Sequence, residues 1–109
     1  RILRAARGYW GTKHRHKQQA KVALLRAGQF SYRDRRNRRR DFRRLWITRI
    51  SAACRMRGTR YSRFMNGLAQ AGILLNRKML SQIAIEDPAT FDALVTQSEA
   101  STTACKASA

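Results

Sequence analysis

Between residues 12 and 57 the chain contains no proline, and Gly28 is the only residue there that strongly opposes a helix. A glycine inside a helix costs about 1 kcal/mol relative to alanine, too little to end one. Apolar residues recur at helical spacing: Ala20, Leu24 and Ala27, then Phe42, Trp46 and Ile50, with Ala53 and Cys54 closing that face. Strand-like alternation is absent. This pattern predicts one long helix over residues 12–57, bent at most near Gly28, with Gly58 as the left-handed residue that ends it. At about 1.5 Å per residue such a helix spans roughly 69 Å. A compact domain of about 100 residues has a radius of gyration near 13 Å. The helix must therefore run past any globule the chain can build, and it needs a surface to lie on or inside.

The middle of the helix indicates which surface. Arg33, Arg35, Arg36, Arg38, Arg39, Arg40, Arg43 and Arg44 are interrupted by only two acids, Asp34 and Asp41. At 100° per residue these arginines point around the whole cylinder. A helix lying on a membrane needs one apolar face, and one lying in a single DNA groove needs mainly one basic face. Charge on every side suits a helix enclosed by phosphates, as inside folded RNA. A solvated, charge-rich helix is the plainer alternative, but such helices usually mix signs.

The charge is also divided along the chain. Residues 1–63 carry net +19 and residues 64–109 net −1, out of +18 for all 109 residues. Such asymmetry points to a polyanionic partner, nucleic acid before an anionic membrane. Arginine outnumbers lysine 19 to 5. Arginine grips phosphate with a planar fork and stacks on bases, whereas lysine is a hydrated point charge. GC-rich coding produces the same bias and accounts for it equally well.

Three shorter helices are expected after Gly58. Ser62 would cap residues 63–71, burying Phe64, Leu68 and Ala71, with Gly72 as the stop. Asn76 would cap residues 77–85, burying Met79, Leu80, Ile83 and Ala84. Asp87 and Pro88 read as N-cap and first helical residue of a helix that buries Phe91, Leu94 and Val95. Joined to Phe42, Trp46 and Ile50, these residues form a small core. At 43% hydrophobic, the chain can bury a core over only part of its length. The fold expected is all-α: a basic arm over 1–57, a small helical domain over 58–97 packed on 42–54, and a frayed or disordered Ser/Thr/Ala-rich tail over 98–109.

Several function classes receive little support. Cys54 and Cys105 make no disulfide framework and no zinc site. Cys54 falls on the buried face, where a thiol acts as a small hydrophobe. His14 and His16 lie among Lys13, Arg15 and Lys17, whose charges repel a metal, so RNA contact or solvent exposure is expected there instead. Glu86 and Asp87 sit at a helix start, where capping and the helix dipole explain them. There is no Gly-rich phosphate loop and no His-Glu-x-x-His motif. No catalytic residue, metal or cofactor is expected, and no run of apolar residues approaches a membrane span. The chain begins at Arg1, as a processed or trimmed protein would, and residues 1–8 hold no apolar secretory core.

The segment from Gly28 through Tyr32, Arg33, Asp34, Arg35, Arg36, Asn37, Arg38, Arg39 and Arg40 resembles the signature of the bacterial-type large-subunit ribosomal protein L20 family. The resemblance continues through Phe42-Arg43-Arg44-Leu45-Trp46-Ile47-Thr48-Arg49-Ile50, Tyr61-Ser62-Arg63-Phe64-Met65-Asn66-Gly67-Leu68 and Asn76-Arg77-Lys78-Met79-Leu80. Arg7-Gly8-Tyr9-Trp10-Gly11 fits the family's N-terminal aromatic-glycine element, so the likeness covers about residues 4–97. It implies a helical arm threaded between rRNA helices and a small helical domain at the rRNA surface. It also implies a structural, non-catalytic role in early large-subunit assembly, beside neighbouring ribosomal proteins. Two departures stand out. The family usually carries a further basic stretch ahead of the position of Arg1, and the tail after Ser98 is not a family feature. With the arginine bias these favour an organellar member, in the mitochondrial matrix before the plastid, with the bacterial cytoplasm as the alternative.

The expected RNA contacts follow the charge. At the N-terminus they are Arg4, Arg7, Lys13, Arg15, His16, Lys17 and Lys21, with Tyr9 and Trp10 able to stack on bases. Along the arm they are Arg26, Tyr32, Arg33, Arg35, Arg36, Arg38, Arg39, Arg40, Arg43, Arg44 and Arg49. Arg55, Arg57, Arg60 and Arg63 would carry the basic surface onto the C-terminal domain. The rival reading is a regulatory or architectural nucleic-acid binder outside the ribosome, such as a repressor that binds a message. A cationic membrane-active protein and an enzyme fragment are weaker rivals. No membrane and no small-molecule substrate are expected as partners.

Overall fold

The computed structural model describes residues 1–107, apart from the Lys106 side chain, and every regular element among them is helical. In order these are α1 (Ile2–Ala5), a 3-10 turn (Gly11–His14), α2 (Lys17–Met56), α3 (Tyr61–Gln70), α4 (Arg77–Glu86) and α5 (Pro88–Ala107). The chain packs as two units, Arg1–Arg39 and Arg40–Ala109. The division falls inside α2, because Ile50, Ala53 and Cys54 of α2 belong to the second unit's core.

In the first unit the long helix starts at Lys17 instead of residue 12. Gly11 adopts φ +68°, and the Thr12 carbonyl accepts from the backbone N–H groups of both Arg15 and His16. These bonds tighten the chain into a 3-10 turn before α2 begins. Gly8, at φ +81°, provides the preceding reversal. The small buried residues here are Ala6 and Ala20. From Lys17 onward α2 is continuous through Gly28.

The second unit holds the core: Ile50, Ala53, Cys54, Phe64, Leu68, Leu80, Phe91 and Val95, with the Phe64 and Phe91 rings 5.2 Å apart. Two glycine stops behave as their positions predict. At Gly58 (φ +72°) Thr59 N–H donates to the Cys54 carbonyl at 3.0 Å and Gly58 N–H to Arg55. At Gly72 (φ +73°) Ile73 N–H donates to Leu68 and Gly72 N–H to Ala69. Both are Schellman endings that satisfy carbonyls left open at a helix terminus. Asn76 caps α4 by accepting from Met79 N–H at 2.9 Å. Asp87 caps α5 by accepting from Thr90 N–H at 3.1 Å, with Pro88 first in the helix.

Four expectations are corrected. Ser62 does not cap α3. The helix starts at Tyr61 directly after the extended residue Arg60, and the Tyr61 hydroxyl accepts from Arg77 Nε at 2.8 Å. Met79 is 49% exposed; Leu80 is buried as expected, and Ser81 is buried beside it. Phe42 is 48% exposed and Trp46 only half-buried, since the α2 face becomes fully covered only at Ile50. Finally, residues 98–107 are not a frayed tail but the end of α5. Ser98 and Thr102 are buried, and their hydroxyls donate to the carbonyls of Val95 and Ser98, both at 2.8 Å. Residues 108–109 lie outside the described part.

The Ser98 position is the tightest packing point of this unit. A Cβ on Gly67 would sit 2.3 Å from the Ser98 carbonyl oxygen. Glycine at 67 is what lets α3 and α5 approach so closely.

Candidate nucleic-acid interface

The arm segment is helical because its residues allow nothing else. It has no proline, few β-branched residues and many arginines, which are good helix formers. All eight arginines between residues 33 and 44 are exposed. Arg38, Arg39, Arg40 and Arg43 make no hydrogen bond or ion pair to another described residue. Arg33 lies 3.2 Å from Asp34, and Arg44 lies 4.0 Å from Asp41. Exposed pairs like these are worth about 0–1 kcal/mol, so a phosphate can displace either carboxylate. Arg35 donates to Ser31 Oγ at 3.1 Å and Arg36 to the Tyr32 hydroxyl at 3.3 Å. The Arg33 and Arg36 guanidiniums stand 4.8 Å and 5.1 Å from the ring centres of Phe30 and Tyr32. These local contacts hold the guanidiniums along an exposed helix surface.

At the N-terminus Tyr9 and Trp10, expected to act alike, are placed differently. Trp10 is 90% exposed, between the two left-handed glycines Gly8 and Gly11. Tyr9 is half-buried, and its carbonyl lies 2.7 Å from His14 Nδ1. A carbonyl can only accept, so Nδ1 carries the proton, and Nε2 is free to accept from Arg15 Nε at 3.3 Å. His14 thus pins the loop that displays Trp10. Arg4, Arg7, Lys13, Arg15, His16, Lys17, Lys21 and Arg26 are all exposed, as are Tyr32, Arg49, Arg55, Arg60 and Arg63.

Arg57 is placed differently from the other cations of the expected set. Its guanidinium pairs with Asp92, donates to the Ala53 carbonyl at 3.0 Å and stands 4.9 Å over the Phe91 ring. It ties the end of α2 to α5.

Two features went unread in the sequence. Phe30, which spacing left unassigned, and Phe42, whose spacing reads as core, are about half exposed. An open cavity of about 270 Å³ also lies between α2 and α4, lined by Trp46, Arg49, Lys78, Ser81, Gln82, Ile85 and Glu86. Gln82 donates to Glu86 at 3.1 Å, and Ser81 Oγ is buried with no hydrogen-bond partner among the described residues. Leaving such a hydroxyl unpaired costs about 1–3 kcal/mol. Nothing in the sequence brings Lys78 to Arg49; only the helix packing does.

Catalytic chemistry finds no footing in the cysteines. Burial pushes the Cys54 thiol up to about 11, with Arg57 pulling weakly the other way, so it is not a thiolate at neutral pH. Among the described residues no group of three or more His, Cys, Asp or Glu is placed to hold a metal, and no helix is long and apolar enough to cross a membrane.

The family model described as ribosomal protein L20 matches residues 1–94. This chain belongs to the ribosomal protein L20 family. It is 57% identical over 95 residues to the large ribosomal subunit protein bL20 of Hydrogenobaculum sp. (strain Y04AAS1), covering 87% of this chain and 82% of that one. The bL20 protein of Roseiflexus sp. (strain RS-1) is 54% identical over 97 residues, covering 89% and 83%. That of Staphylococcus aureus (strain JH9) is 52% identical over 99 residues, covering 91% and 84%. The L20 match thus takes in the Trp10 loop, the arginine-rich helix and most of the helical unit that follows.

Proposed function

We infer that this L20-family chain is a structural constituent of the large ribosomal subunit that binds rRNA directly and supports early assembly of that subunit. The observation that carries the reading is the ring of exposed arginines between residues 33 and 44, four of them without a partner among the described residues. A helix charged on all sides gains most where phosphates approach from several directions. Contacts to phosphate position a protein without reading sequence, and the deep major groove of duplex RNA admits few side chains. Selectivity therefore comes from the shape and spacing of phosphates, with Trp10 and Tyr32 offering rings for unpaired bases. Arg57 drops out of the contact set, and the remaining basic residues stay in it.

The role is non-catalytic, with rRNA and neighbouring large-subunit proteins as partners. Placement in an organelle, the mitochondrial matrix before the plastid, leans on the arginine bias. The relatives named above are bacterial.

The test is binding of the chain to large-subunit rRNA fragments across a salt series, with unrelated RNA and duplex DNA as competitors. One fragment should resist both competitors. Equal displacement by every competitor would reduce the protein to a general polycation. Replacing Arg35, Arg36, Arg39 and Arg40 with alanine should lower the log–log salt slope by about 0.7–0.9 for each phosphate that is no longer neutralised. An unchanged slope would remove them from the interface.

A further inference from the structure

We propose that the cavity between α2 and α4 receives a single unstacked RNA nucleotide, with its base against Trp46 and its phosphates on Arg49 and Lys78. This rests on the RNA-binding reading and adds to it a site that holds a base, apart from the phosphate-binding arm.

Three observations in the second unit support the assignment. Trp46 is half-buried yet lines the cavity, and Phe42 continues the aromatic surface with ring centres 6.2 Å apart and planes inclined by 30°. Half-exposed paired rings are the platform on which single-stranded bases stack. Two cations from different helices, Arg49 and Lys78, border the same space and are exposed. The cavity, about 270 Å³, is smaller than the usual range for drug-sized ligands, roughly 300–1,000 Å³, which suits one base.

The remaining lining offers groups that a base can bond, which a bare phosphate would leave unused. The Glu86 carboxylate accepts hydrogen bonds from a base amino group. Gln82, bonded to Glu86 at 3.1 Å, holds that acceptor in place. A lining that joins Trp46 and Ile85 to hydrogen-bonding Gln82 and Glu86 and to the cations Arg49 and Lys78 fits a nucleotide, whose base is uncharged and whose phosphates are anionic.

The experiment uses the full chain carrying Trp10→Phe, which leaves Trp46 as the only tryptophan. The probes are short single-stranded oligo(A) and oligo(C), an abasic strand of equal length and a blunt RNA duplex. Binding is followed by anisotropy of labelled RNA, and base contact by Trp46 emission. All four probes should bind through the arm with steep salt dependence. Only oligo(A) and oligo(C) should quench Trp46, and Lys78→Glu should raise the concentration needed several-fold. Quenching that is absent, or equal for the abasic strand, while anisotropy still reports binding would overturn the nucleotide pocket and leave the RNA-binding reading standing. Loss of anisotropy change for every RNA would overturn both.

Discussion

Gly67 carries the sharpest constraint on any one residue. Its missing side chain lets the Ser98 backbone approach where a Cβ would stand at 2.3 Å. Neither partner is a flexible side-chain end, so relief requires the helices to separate. Gly67→Ala should cost at least about 1–3 kcal/mol, the usual range for overpacking, read as a lower midpoint in denaturant titration at unchanged slope. Cys54 gives a second prediction at this scale. Burial raises its thiol pKa from 9.0 to about 11, so the folded protein holds that proton more tightly than the unfolded chain. Its contribution to stability is complete below about pH 9 and is lost as pH rises through about 11. The melting temperature of the protein should fall over that window more steeply than that of Cys54→Ala. Parallel curves would show that the thiol does not titrate on unfolding.

At the scale of the element, α2 and α5 make opposite demands. The exposed half of α2 stacks like charges one turn apart, each such pair opposing the helix by about 0.2–0.5 kcal/mol. Gly28 adds a further conformational cost, and a Cβ there meets nothing within 4 Å. Gly28→Ala should therefore raise helicity by circular dichroism and stabilise the arm by about 0.5–1 kcal/mol, with RNA affinity unchanged or improved. A loss of affinity would mean that RNA approaches the backbone at Gly28. The end of α5 depends on packing instead of charge. Deleting residues 98–109 removes buried Ser98 and Thr102 from the face that meets Gly67. Thermal melting should shift down by about 4–8 °C for each 1 kcal/mol of stability removed. A melt equal to that of the full chain would make this end dispensable.

Over the whole molecule, charge and packing are divided along the chain. Net +19 lies in residues 1–63, and the core residues from Phe64 onward sit in a segment of net −1. Self-repulsion of a large one-signed charge opposes compaction, so anions should stabilise the first unit more than the second. Sulfate or phosphate should raise helical content measured at low salt, and the gain should shrink when Arg35, Arg36, Arg39 and Arg40 are alanine. A salt-independent spectrum would show that the arm is helical without counter-charge.

The sequence by itself determined what rests on local chemistry. Proline absence and arginine content set the long helix, Gly58 and Gly72 set two helix ends, and Asn76 and Asp87 set two starts, because backbone reversal and capping depend on a few adjacent residues. Charge on every side of α2 was legible for the same reason: it follows from angular position alone. What spacing left open, the tertiary structure decided. Phe42 and Ile50 repeat at one interval on one face, yet only Ile50 is covered, since burial depends on where α3, α4 and α5 lie. Ser98 looked like the start of a loose end because its composition is polar, and Gly67 makes it a packing point. Arg57 reads as one more cation until Asp92 and Phe91 claim it. Lys78 reaches the cavity of Trp46 and Arg49 only through helix packing. A residue's neighbours across elements are set by the packing of the whole core, and no local pattern encodes them.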